Sequence, residues 1–157
     1  MRTVPSNSPF SSSPDEPISV SVTPLIGAPM TRVLVVDDDP VIADLVAFRL
    51  TRLGLDVSVE TDGQAGLAAA RELRPDLVVL DWMMPRMNGL EMCAALRADP
   101  DEALARTPVL LLTAKAQEPD LERGFAAGAT DYMVKPFSPR ELATRVTAAL
   151  PPGSVSS

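Results

Sequence analysis

The chain has 157 residues, 46% of them hydrophobic, and a formal net charge of −7; that is enough for one domain with a good-sized core, and the charge sets nucleic acid aside as a direct partner of this chain. It contains no histidine and one cysteine, Cys93, which excludes His-based zinc sites, Ser-His triads, a phosphohistidine on this chain and an internal disulfide. No apolar run approaches the ~18 residues of a membrane span, so the chain reads as cytoplasmic, without a membrane partner.

Residues 1–29 hold six prolines and seven serines without a clear period, and no compact apolar segment follows a basic start. This composition is expected of a disordered tail and not of a signal peptide. Met30 stands directly before the first periodic segment and is a candidate natural start. Five apolar runs follow, Val33–Val36, Val57–Val59, Leu77–Leu80, Val109–Leu112 and Tyr132–Val134, with helical patterns between them. In the first helix Ile42, Leu45, Val46, Arg49, Leu50 and Leu53 recur at helical spacing until Gly54. The others span about 62–73, 89–97, 119–127 and 139–150. The PPGSVSS of residues 151–157 is expected to be a disordered tail or linker stub.

Strand alternating with helix implies an α/β fold with a parallel sheet covered on both faces. VLVV, LVVL and VLLL are continuously apolar, as suits strands buried on both faces, whereas Asp56-Val57-Ser58-Val59-Glu60 alternates, as suits an edge. With the second strand at an edge, right-handed crossovers favour the doubly wound, flavodoxin-like order 2-1-3-4-5, with five helices.

The polar residues then gather at carboxyl ends of strands, where open parallel sheets build their sites. Asp37 and Asp38 end the first strand, Asp81 the third, Thr113 the fourth and Lys135 the fifth. Asp39 precedes Pro40 and reads as a helix N-cap. Asp37, Asp38 and Asp81 converge from adjacent strands, and like charges so placed repel one another. A hard divalent cation, Mg2+, offsets that repulsion, and with Lys135 it leaves a site that accepts a dianionic phosphoryl group.

At these residues the chain resembles the receiver domain of two-component response regulators. VVDDDP, LDWMMPRMNG, LLTAK and YMVKPF occur in order, and the resemblance covers about residues 31–150, with the receiver domain expected over 30–150. It implies that Asp81 is the phosphoacceptor, taking the phosphoryl group from a phosphohistidine on a sensor histidine kinase or phosphotransfer protein. Asp38 would bind Mg2+ directly, Asp37 through water, and Met83 through its main-chain carbonyl. Lys135 would pair with Asp81 and then with the phosphoryl group, Thr113 would donate its hydroxyl, and Tyr132 would be the coupled aromatic switch. The Lys135–Pro136 bond would be cis. The chain would be a signalling switch and not an enzyme with a separate substrate, catalysing only its own phosphorylation and slow dephosphorylation. Met83 and Lys115, flanking the approach of water, carry no water-orienting group and imply a long-lived phosphorylated state.

The output would be a downstream protein or fused domain reached through the face formed by helix 119–127, strand 132–134 and helix 139–150. Asp131, Glu141 and Arg145 match the charge pairs of a phosphorylation-dependent dimer through that face. Leu121 stands where a basic residue is usual and Thr130 replaces an acid, so half of that charge network is missing. A second class also fits VLVVDDDPV, namely haloacid dehalogenase-type phosphatases, with Asp37 as nucleophile and Asp39 as acid/base. In that reading Asp81 has no role, and which aspartate is phosphorylated separates the two.

Overall fold

The structure, a computed structural model, describes residues 30–114 and 117–155. The expected tail over 1–29 and the position of Lys115 lie outside the described residues. Five strands, β1 (Arg32–Val36), β2 (Asp56–Glu60), β3 (Leu77–Asp81), β4 (Val109–Thr113) and β5 (Asp131–Val134), form one parallel sheet in the order β2-β1-β3-β4-β5. Six helices accompany it: α1 (Pro40–Thr51), α2 (Gly63–Leu73), α3 (Gly89–Arg97), α4 (Glu102–Ala105), α5 (Glu118–Ala126) and α6 (Pro139–Ala149). The expected strand order holds. The helix count is one higher than expected, because α4 is a four-residue turn capped by Asp101, too short to show a period.

The continuously apolar strands are the central ones, and their alternate residues face opposite layers. Val33, Val35, Leu77, Val79, Leu110 and Leu112 pack in one core with Ala43, Val46 and Leu50 of α1 and Leu142 and Val146 of α6. Leu34, Val36, Val78, Leu80, Val109 and Leu111 pack in the other with Leu67 and Ala70 of α2 and Met92, Cys93 and Leu96 of α3. Full burial of side chains of this size stabilises by about 1.5–3 kcal/mol each. Cys93 is one of these packing groups. The alternating strand β2 lies at one edge with no fully buried residue.

Local chemistry fixes where helices begin. Asp39 caps α1, its Oδ1 accepting from the Val41 amide at 3.0 Å, with Pro40 in the first turn. Asp62 and Ser138 cap α2 and α6 by side-chain bonds to the amides of Ala65 and Glu141. Asn88 and Glu91 form a reciprocal capping box on α3, with both bonds 2.9 Å long. In α1 the expected inward stripe is only partly correct: Val46 and Leu50 are buried, but Leu45 is exposed together with Val41 and Phe48. Its apolar residues occur all round the helix, so spacing alone did not single out the inward face.

Candidate phosphoryl-acceptor site

The reversal of strand order falls between β1 and β3, and the acidic residues meet there. Ladder-type bonds carry past the strand ends and hold the site residues in place. The Asp37 amide donates to the Glu60 carbonyl at 3.1 Å, the Trp82 amide to the Leu112 carbonyl at 2.9 Å, and the Lys135 amide to the Thr113 carbonyl at 2.8 Å. Asp81 and Thr113 are the last residues of their strands, one beyond the apolar runs. Asp37 and Asp81 are 0% and 4% exposed, whereas Asp38 is exposed.

Lys135 bridges the two buried carboxylates. Its Nζ lies 2.9 Å from Asp81 Oδ1 and 3.2 Å from Asp37 Oδ2. Asp37 Oδ1 accepts from the Asp39 amide at 2.9 Å, so both oxygens of Asp37 are engaged. Burial, together with the neighbouring charges of Asp37 and Asp38, raises the Asp81 carboxyl to about 6, against the opposing hydrogen bond and charge of Lys135. Burial lowers the Lys135 ammonium, but its bonds to Asp81 and Asp37 outweigh that and raise it. Two buried carboxylates therefore share one cation, and a net negative charge remains.

Asp37, Asp38 and Asp81 each present an oxygen within 4.8 Å of the others. Three hard oxygen donors, one of them open to water, suit Mg2+, which keeps several waters and takes one or two carboxylates. The set therefore fits such an ion. Met83, two residues beyond Asp81, exposes its side chain.

Thr113 is 1% exposed and, with Trp82, Phe125 and Tyr132, lines a cavity of about 10 Å3 beneath α5. The Tyr132 ring meets Phe125 edge to face at 5.9 Å and carries the Arg145 guanidinium 5.7 Å from its centroid. The Lys135–Pro136 bond is cis. Arg145 bonds Asp131 at 3.1 Å and Glu141 at 3.2 Å, so the three charges assigned to a dimer pair with one another within the chain.

Two residues beside the site were not singled out from sequence. Gly89 starts α3 against the backbone of Asp81: a Cβ there would collide with the Asp81 carbonyl and the Trp82 Cα, and its amide donates to the Trp82 carbonyl at 2.8 Å. The Asn-Gly pair of LDWMMPRMNG was the available signal. Arg123 of α5 stacks its guanidinium 5.5 Å from the Trp82 ring centroid, and no spacing rule relates residues on separate elements.

The sequence matches the family described as response regulator receiver domain over residues 33–147. It is 49% identical over 119 residues to the DNA-binding response regulator MtrA of Mycolicibacterium smegmatis, covering 76% of this chain and 50% of MtrA. It is 47% identical over 121 residues to the DNA-binding dual master transcriptional regulator RpaA of Synechocystis, covering 77% of this chain and 49% of RpaA. The chain thus spans about half the length of these curated relatives. Among solved structures, the chemotaxis protein CheY4 of Vibrio cholerae superposes with a TM-score of 0.73 at 35% identity, covering 78% of this chain and all of CheY4. These relatives correct the partner expectation drawn from charge: proteins similar to this chain are DNA-binding. The net charge of −7 describes only the segment counted, and so does not bear on nucleic-acid binding by a longer polypeptide.

Proposed function

The chain belongs to the response regulator receiver domain family, and on that premise we propose that it takes a phosphoryl group onto Asp81 and thereby switches the face formed by α5, β5 and α6. As a receiver domain it is a signalling switch. The observation that carries the assignment is the pairing of one half-buried lysine, Lys135, with two buried carboxylates, Asp81 and Asp37, while a third, Asp38, stands exposed beside them. Asp81 attacks phosphorus in line, the bond from phosphorus to the phosphohistidine nitrogen breaks, and the electron pair stays on the departing imidazole. Phosphoryl transfer of this kind needs positioning and charge stabilisation more than covalent chemistry.

The residues divide that work. Lys135 engages Oδ1 of Asp81, which favours its ionised form and orients the second oxygen as nucleophile. After transfer the ammonium pairs with a phosphoryl oxygen, and the Thr113 hydroxyl donates to another. Asp38, Asp81 and the Met83 carbonyl would hold Mg2+ directly, and Asp37, with both oxygens already engaged, would do so through water. When bound, Mg2+ would supply positive charge against the transferring group. Movement of Thr113 toward the phosphoryl group vacates space beside Tyr132, which couples the chemistry to α5 and β5. The reading takes residues 30–150 as the receiver, in keeping with the family match over 33–147. Its finer terms are self-catalysed phosphorylation and slow dephosphorylation in the cytoplasm; among the described residues no helix is long and apolar enough to cross a membrane. By likeness to MtrA and RpaA, the output it controls is DNA binding by a polypeptide longer than this chain.

The test is intact-mass measurement after incubation with acetyl phosphate and Mg2+. One phosphoryl adduct is expected, and chelation of the metal should suppress it. An unmodified protein under both conditions refutes the proposal.

A further inference from the structure

The helix over the switch cavity is weakly held. α5 and α3 each have nine residues, yet α3 buries Gly89, Met92, Cys93 and Leu96 while α5 buries only Gly124. α3 begins with a capping box, whereas Gln117 gives α5 no side-chain cap bond. Two of the contacts that α5 makes with the domain involve aromatic rings. Phe125 meets Tyr132, and Arg123 lays its guanidinium over Trp82, the residue directly after the acceptor. The indole is 2% exposed, so it presents a fixed face from within the core. Among the described residues Arg123 pairs with the Asp120 carboxylate of its own helix at 3.7 Å, and a pair within one helix does nothing to fasten that helix to the sheet. Asp120 and Trp82 line the same small cavity as Thr113 and Tyr132.

We infer that Arg123 and Trp82 form a latch that holds α5 in the arrangement described here, and that opening the latch favours the phosphoryl-bound state. The inference rests on the receiver reading of the site. A contact made in one state and lost in the other biases the equilibrium by its own strength, and a cation–π pair with an exposed cation shifts an equilibrium about 2- to 5-fold. Arg123 is 60% exposed, so that lower range applies. Arg123 is a positioning residue: it touches no reacting atom and acts through Trp82 and the helix it fastens.

The experiment uses the whole chain and beryllofluoride with saturating Mg2+ as a stable phosphoryl mimic, titrated by calorimetry. Arg123→Gln should bind the mimic about 2- to 5-fold more tightly than the wild type, while Arg123→Lys, which keeps a cation over the ring, should stay near the wild-type value. Trp82 is the only tryptophan, and its emission should change in ligand-free Arg123→Gln because the cation over the indole is gone. Unchanged or weaker binding by Arg123→Gln, or an unchanged emission spectrum, overturns the latch. A wild-type protein that does not bind the mimic at all overturns the receiver reading and the latch with it, whereas wild-type binding with an unaltered Arg123→Gln overturns the latch alone.

Discussion

Neutralising Asp81 should stabilise the metal-free protein, and the size of the effect follows from its surroundings. Asp81 is 4% exposed and sits beside Asp37 and Asp38, with one ammonium in contact. Burial first, and those two charges next, lift its carboxyl from an ordinary 3.8 to about 6. The folded value lies above the unfolded one, so the folded state binds the proton more tightly. The resulting stabilisation is fully present below about pH 4 and is lost as pH rises through about 6. At 1.36 kcal/mol per pKa unit, the ionised carboxylate costs roughly 3 kcal/mol at pH 8. Asp81→Asn removes that charge but weakens the bond to Lys135, which keeps Asp37 as a partner at 3.2 Å. The expected net gain at pH 8 is about 1–3 kcal/mol, and about 3–5 °C in Tm for each kcal/mol in a domain of this size. Urea unfolding with a chelator present, at pH 5 and pH 8, measures it as a shift in midpoint at constant slope. The gap between variant and wild type should be large at pH 8 and shrink at pH 5. A variant less stable than the wild type at pH 8, or a gap independent of pH, would refute the reasoning.

Other consequences follow from the same geometry. Mg2+ at millimolar concentration should change the emission of Trp82, which adjoins Asp81, and Asp38→Ala should abolish that response in a fluorescence titration. Lys135→Ala leaves Asp37 and Asp81 facing each other without a cation. It should lower metal-free stability at pH 8 by roughly 1–3 kcal/mol, below the ~3–5 of a fully buried pair because the lysine side chain is 23% exposed; urea midpoints read this. The phosphorylated protein should decay over many minutes or longer, since the exposed, apolar Met83 cannot orient water. Loss of phosphate followed by mass should be faster in Met83→Asn, and a wild-type lifetime of seconds would contradict this.

Much of the site was legible because its chemistry sits where apolar runs stop. Asp37, Asp81, Thr113 and Lys135 each follow a strand pattern, so assigning strands also assigned the site. The alternation at Val57–Val59 placed β2 at the edge, and from that the neighbouring of β1 and β3 followed. Asp39 could be separated from Asp37 because Pro40 marks a helix start. Features that depend on tertiary approach were not legible. Val41, Leu45 and Phe48 are exposed on a helix that is apolar all round, so its period did not show which face turns inward. Glu102–Ala105 is one turn long and has no period to read. The stacking of Arg123 on Trp82 joins residues 41 positions apart on different elements. Net charge misled about nucleic acid for another reason: the chain spans about half the length of its DNA-binding relatives, and the charge of that span does not report on theirs.

The central claim is that Asp81 and no other carboxylate receives the phosphoryl group. Reduction of the acyl phosphate with borohydride converts the modified aspartate to homoserine, and tandem mass spectrometry of the digested protein locates it. After treatment with acetyl phosphate and Mg2+, homoserine is expected at position 81 alone, and Asp81→Asn should yield none. Homoserine at position 37 would contradict the account and favour the phosphatase reading in which Asp37 is the nucleophile.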